Sequence, residues 1–135
     1  MIGNVSPSIS GLLSSDIYNT TLPKTFKLST RYVGIKLLAV KTTWVSYIAY
    51  VVGSCNGVIF DFTIGCIKNG SNLVVDVTAR NFNTGSYRLY KDSDNVYLVC
   101  INSTTLNDAF IVYSSSVVER LTNINVTSME EITIS

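Results

Sequence analysis

Nine carboxylates, eight tyrosines, three cysteines and one tryptophan are the groups in this 135-residue chain that could do chemistry, and histidine is absent. Losing histidine removes the most common general base and the commonest metal ligand together. An enzyme built from this chain would have to work with carboxylates, tyrosines, lysines or thiols. Asp61 and Asp76 are the pair to weigh first. Both fall mid-strand in the pattern below and could face each other across a sheet, as a glycoside hydrolase requires of its two carboxylates. The alternative is that both simply mark solvent-facing strand positions.

The run Asp92-Ser93-Asp94-Asn95 opens like a calcium-binding loop. It lacks the downstream glycine and the bidentate glutamate at their required spacing, so a solvated hairpin tip fits it better. Cys55, Cys66 and Cys100 form an odd set without C-x-x-C spacing, which argues against a zinc site or a disulfide framework. Cys66 is in phase with Phe60, Phe62 and Ile64, and Cys100 with Val96 and Leu98, so both read as small core residues. Cys55, beside Gly53 and Gly57, is the one expected to be exposed, and the chain reads as made in a reducing cytoplasm.

Trp44 is followed by Tyr47 and Tyr50. Aromatic rings stack on sugars and anchor interfaces at low entropic cost, so Trp44 and Tyr47 are the residues offered for glycan contact, with a core position the alternative for the tryptophan. Arg80 and Arg88 could clamp an anion or serve solubility and subunit ion pairs. No glycine-rich phosphate loop, nucleophile elbow or metal constellation is present, and no cofactor is called for.

The elements that must carry these groups are strands. Tyr32–Val40 and Trp44–Val52 are β-branched and aromatic runs around Lys41-Thr42-Thr43, read as a hairpin. Val58–Cys66 alternates, with Val58, Phe60, Phe62, Ile64 and Cys66 on one side and Ile59, Asp61, Thr63 and Gly65 on the other. Asn69-Gly70 signals a turn into Leu73–Ala79. Tyr87–Tyr90 and Val96–Ile101 flank the polar Lys91–Asn95 loop. Ala109–Tyr113, Val117–Leu121, Ile124–Val126 and Ile132–Ile134 complete the set. Eight to ten short strands at this spacing predict an all-β, jelly-roll-like antiparallel sandwich over residues 31–135. The uncharged stretch Thr42–Phe60 is broken by Gly53 and Gly57, so two strands and a turn fit it better than a membrane span.

Residues 1–30 differ. Gly3, Pro7, Gly11 and Pro23 interrupt a Ser/Thr/Asn-rich arm whose one helical turn, Ser14–Asn19, is capped by Ser14 and stopped by Pro23. The start carries no signal-peptide pattern. The arm reads as an anchor, with Leu12, Leu13, Ile17 and Tyr18 as its contacts. Ten basic against nine acidic residues leave a net charge of +1, which offers nucleic acid no footprint.

Composition adds a further constraint. The chain is 47% hydrophobic and 14% charged, with mean hydropathy +0.33. Ile59, Val74, Tyr90, Tyr97 and Val99 stand where a solvated strand face would carry charges. A domain this small leaves about a third of its unfolded surface in water, so identical neighbours are expected to cover the excess.

The segment Ser10-Gly11-Leu12-Leu13-Ser14-Ser15-Asp16-Ile17-Tyr18 resembles the G-L-M/L-S-x-x-D segment of tailed-bacteriophage fibre proteins. Tyr32–Leu38 through Trp44-Val45-Ser46, and the Tyr87–Lys91 and Val96–Leu98 hairpin, are similar to the β-sandwich heads of such fibres. The arm departs from their pattern in lacking a longer Lys/Glu-rich helix and in its early proline. The resemblance implies a non-enzymatic virion component, a head- or tail-fibre subunit that forms a homotrimer. Its arm would attach to capsid or tail proteins, and its head would project outward and either contact host-surface glycans or simply extend the particle surface. The alternative reading of the residues is a stand-alone carbohydrate-binding module.

Overall fold

A computed structural model describes residues 23–55, 58–82, 84–103 and 108–134. Among them the chain forms ten strands in two five-stranded antiparallel sheets, as the alternating pattern predicts. The strands are β1 (Lys24–Leu28), β2 (Gly34–Ala39), β3 (Tyr47–Cys55), β4 (Val58–Asn69), β5 (Asn72–Asn81), β6 (Tyr87–Lys91), β7 (Asn95–Cys100), β8 (Asp108–Ser114), β9 (Glu119–Leu121) and β10 (Glu130–Glu131). The first sheet runs β1-β8-β3-β4-β5 and the second β10-β6-β7-β2-β9.

Pairing of β1 with β8 in one sheet and β2 with β7 in the other is the nested order of a jelly roll. The departure is local: β3, β4 and β5 form a meander within the first sheet, and β6–β7 a hairpin within the second. Thr42–Phe60 resolves into β3 and β4, paired from Tyr47↔Cys66 to Cys55↔Val58. Asn69↔Asn72 closes a two-residue turn in which Gly70 takes a φ of +63°, as the first central residue of a type II′ turn must.

Three expectations are corrected. β2 and β3 are not a hairpin, because β2 pairs with β7 and β9 while β3 pairs with β4 and β8. Lys41–Ser46 instead carries the chain from one sheet to the other. Ile124–Val126 and Ile132–Ile134 are not strands. A 3-10 turn occupies Val126–Ser128, capped by the Asn125 side chain, and only Glu130–Glu131 pairs, with β6. Lys24–Leu28, within the stretch read as arm, forms β1 at the edge of the first sheet.

The core lies between the sheets. Phe60, Phe62, Phe110 and Tyr87 are buried and meet Phe82 or one another at ring-centroid distances of 5.0–5.6 Å, several of them edge-to-face. Burying one such side chain contributes about 1.5–3 kcal/mol. A bulge in β2 between Lys36 and Leu38 lets Leu37 and Leu38 both be buried.

Polar ties join the layers. The Ser114 hydroxyl on β8 donates to the Leu37 carbonyl on β2 at 2.8 Å. The Tyr87 hydroxyl on β6 donates to the buried Asp108 carboxylate on β8 at 2.6 Å, and the Cys55 thiol on β3 donates to the same oxygen at 3.1 Å. Cys55 is therefore buried, against expectation, because its partner lies 53 residues away in sequence. Cys66 and Cys100 are buried as their phase requires, and all three thiols are free. No helix among the described residues is long and apolar enough to cross a membrane.

Candidate interaction face

The two sheets treat their outer faces differently. On the second sheet, Tyr90, Tyr97 and Val99 are buried together with Ile124, and Ile101, Leu121, Val126 and Met129 pack around them. The segment after β9 lies across this face, held by the Ile124 N–H to the Tyr32 carbonyl at 2.9 Å and the Ile132 N–H to the Leu89 carbonyl at 2.8 Å. The expectation that Tyr90, Tyr97 and Val99 require a neighbouring molecule is thus corrected. The chain covers them itself.

The outer face of the first sheet has no such cover among the described residues. Ile59 is 59% exposed, Ile48 57%, Val74 47%, and Tyr50, Ile111 and Tyr113 stand exposed beside them. Register explains why they share one face. Tyr50 is paired with Tyr113 and with Thr63, Ile111 with Val52, and Ile48 with Gly65. The Tyr50 and Tyr113 rings meet at 6.0 Å. The nearby Asp61 side chain raises the Tyr50 phenol above its ordinary pKa. Arg80 approaches Asp61 at 3.9 Å from the β5 side.

A shallow groove of about 320 Å³ crosses this face between Ile48, Gly65, Ile67, Val74 and Asp76. Gly65 forms its floor: no atom lies within 4 Å of where a β-carbon would stand. Tyr47 borders the groove but is half-buried and packs against the core. Trp44 is not among the lining residues. It is 67% exposed at the crossover between the sheets, with a φ of +65° that a bulky side chain rarely adopts, and its N–H donates to the Lys68 carbonyl at 3.0 Å. The alternative placement of Trp44 in the core is therefore not found.

No family model matches the chain, and no curated protein matches it in sequence. Among solved structures it is similar to the crystal structure of the Acinetobacter phage vB_ApiP_P1 tailspike protein, with a TM-score of 0.40 and 12% identity. That similarity covers 90% of this chain and 25% of the tailspike, so the chain spans about a quarter of that protein's length.

The carboxylate pair does not assemble. Asp61 lies opposite Asn81 and Asp76 opposite Gly65, four residues apart along β4. At about 3.3 Å per residue they stand roughly 13 Å apart, beyond the spans of retaining or inverting glycosidases. Asp92 turns inward instead. Its carboxylate accepts from the Asp94 and Asn95 N–H groups at 2.9 and 2.8 Å and from the Tyr97 hydroxyl at 2.7 Å. Burial alone would raise this carboxyl, yet those hydrogen bonds hold it below the usual carboxylate range. The hairpin tip is thereby a self-satisfied turn, and no cluster of three metal-ligating side chains occurs among the described residues. Arg88 pairs with Glu131 at 3.3 Å, a tie between β6 and β10. Leu12, Leu13, Ile17, Tyr18 and the helical turn expected at Ser14–Asn19 lie outside the described residues.

Proposed function

We propose that this chain is a non-enzymatic virion structural protein, a phage head- or tail-fibre subunit that acts by assembling with copies of itself. The observation that carries the reading is the bare apolar face formed by Ile48, Tyr50, Ile59, Val74, Ile111 and Tyr113, on a sandwich whose other outer face is closed by its own chain. Exposed apolar patches of this kind mark interaction sites. In this reading three copies cover the face as a homotrimer. The segment ahead of the sandwich anchors the assembly to capsid or tail through Leu12, Leu13, Ile17 and Tyr18. The fibre-like segment Ser10–Tyr18 supports that role, and the absence of histidine and the spread of Asp61 and Asp76 favour a structural over a catalytic one.

Light scattering on the full chain at micromolar concentration tests this. A mass equal to a multiple of three chains, lowered by Ile111→Lys or Ile59→Lys, is the expected result. A monodisperse monomer, or a mass that neither lysine alters, overturns it.

One observation favours a second reading, a carbohydrate-binding module. Trp44 is held in water at positive φ at the crossover between the sheets, as a stacking ring would be. Glycan-array binding abolished by Trp44→Ala, with the fold retained, would decide for it; a blank array decides against.

A further inference from the structure

We propose that the segment leading into β1 crosses the outer face of the first sheet of its own chain and seats Tyr18 in the groove over Gly65. Residues 1–22 lie ahead of Pro23, where the described chain begins. The bare face therefore has a stretch of its own chain beside it. The second sheet sets the pattern, since the segment after β9 lies across its outer face, over Tyr90, Tyr97 and Val99.

Strand register gives the point of departure. Lys24 is paired with Val112 on β8, so Pro23 stands level with Tyr113, and the chain ahead of it heads toward the end of the sheet that holds Ile48 and Gly65. Pro23 is exposed and has no N–H to give β8, so the pairing stops there and the chain is released from the edge. A residue before proline is held extended, which makes Leu22 the first side chain that can turn onto the face, beside Tyr113.

Reach and phase then select Tyr18. From Tyr113 on β8 the groove floor at Gly65 on β4 lies two strands across and two residues along, about 12 Å at spacings of about 4.8 and 3.3 Å. Leu22 and Tyr18 are four positions apart, about 13 Å of extended chain, and at that spacing their side chains fall on one side. Asn19, Thr20 and Thr21 between them are uncharged, as a segment laid on an apolar face must be. The groove suits a tyrosine. Ile48, Ile67 and Val74 wall it, Gly65 leaves its floor open to a flat ring, and Asp76 offers an acceptor for the hydroxyl. Ile59 and Ile111 lie toward the opposite end of the face and stay open to neighbouring copies. Leu12 and Leu13, farther out along the arm, stay available to an anchor.

On the full-length chain, Tyr18→Cys with Gly65→Cys is oxidised with diamide beside Tyr18→Cys with Ile59→Cys. The pair at Gly65 should close a disulfide within one chain about tenfold faster than the pair at Ile59, read by non-reducing gel and intact mass. An equal rate, or a bond joining two chains, overturns the proposal. Chymotrypsin gives a second reading that introduces no thiol. Cleavage after Tyr18 in the wild type should be about tenfold slower than in Gly65→Phe, whose ring fills the groove, and equal rates overturn the proposal as well. Neither readout is the mass of the assembly. A monomer in light scattering ends the trimer reading and leaves this one standing, whereas an unprotected Tyr18 within a trimer does the reverse.

Discussion

The Tyr87 hydroxyl and the Asp108 carboxylate meet at 2.6 Å across the space between the two sheets, and the same hydroxyl lies 3.2 Å from the Leu28 carbonyl. One buried phenol therefore ties β6 of the second sheet to both β8 and β1 of the first. Tyr87→Phe keeps the ring among Phe60 and Phe110 but deprives a fully buried carboxylate of a donor. Hydrogen bonds to charged groups contribute about 1.5–3 kcal/mol, and a loss of that size in unfolding free energy is expected, seen as a lowered urea midpoint at unchanged slope. A Tyr87→Phe variant as stable as wild type would show that this tie contributes nothing.

Alkali should loosen the fold before mild acid does. Burial, with the bond to Asp108 second, pushes the Cys55 thiol up to about 12, and burial pushes Cys66 up to about 11. Burial raises the Tyr87 phenol as well. A group whose folded pKa lies above its unfolded one stabilises the fold fully below the unfolded value, about 8.5 for cysteine, and less as pH rises beyond it. Asp92 is the opposite case, its folded pKa lowered. It favours the fold above the ordinary aspartate value of about 3.9, and that contribution disappears as pH falls through the folded value. Thermal melts should hold between about pH 5 and 8, then fall on both flanks. Three thiols should titrate with a disulfide reagent only after unfolding.

The glycines should divide cleanly. A β-carbon on Gly53 would stand 2.4 Å from the Phe110 ring, whereas one on Gly65 would meet nothing. Gly53→Ala is expected to destabilise through overpacking, by about 1–3 kcal/mol. Gly65→Ala should hold or gain up to about 1 kcal/mol, since glycine weakens a strand. Urea titrations of both variants check this, and a stable Gly53→Ala would contradict the packing.

Covered and open faces should likewise respond differently to charge. Ile124→Asp buries a carboxylate over Tyr90, Tyr97 and Val99 and should unfold or detach the covering segment, visible as faster amide exchange in β7. Ile59→Asp, on the open face, should leave the stability of the isolated protomer within about 0.5 kcal/mol. Equal effects at the two sites would erase the distinction between the faces.

What was legible in the sequence was whatever local periodicity encodes. β4 shows this best: Phe60, Phe62, Ile64 and Cys66 alternate with polar neighbours and are the buried set. The turns at Gly70 and Asp92 were equally plain, because their residue types fix their geometry within four positions. The failures are all long-range. β1 hides in a stretch containing Pro23, Lys24 and Lys27, and only its pairing with β8, more than 80 residues later, makes it a strand. Lys41-Thr42-Thr43 has the composition of a hairpin tip, but a crossover between sheets uses the same polar residues. Ile124, Val126 and Met129 are isolated apolar residues in a polar tail, and nothing local tells a lid from a strand. On the candidate face the exposure of Ile59 and Val74 followed from strand phase alone, while the shielding of Val99 did not.

Trp44 has a practical corollary. The chain's single indole already stands in water in the folded state, so its fluorescence is a reporter of that corner and is nearly blind to the core. Denaturation followed by its emission maximum would show almost no red shift while the sandwich comes apart. Quenching or a blue shift on mixing with a prospective binder would, by the same logic, be a sensitive local signal.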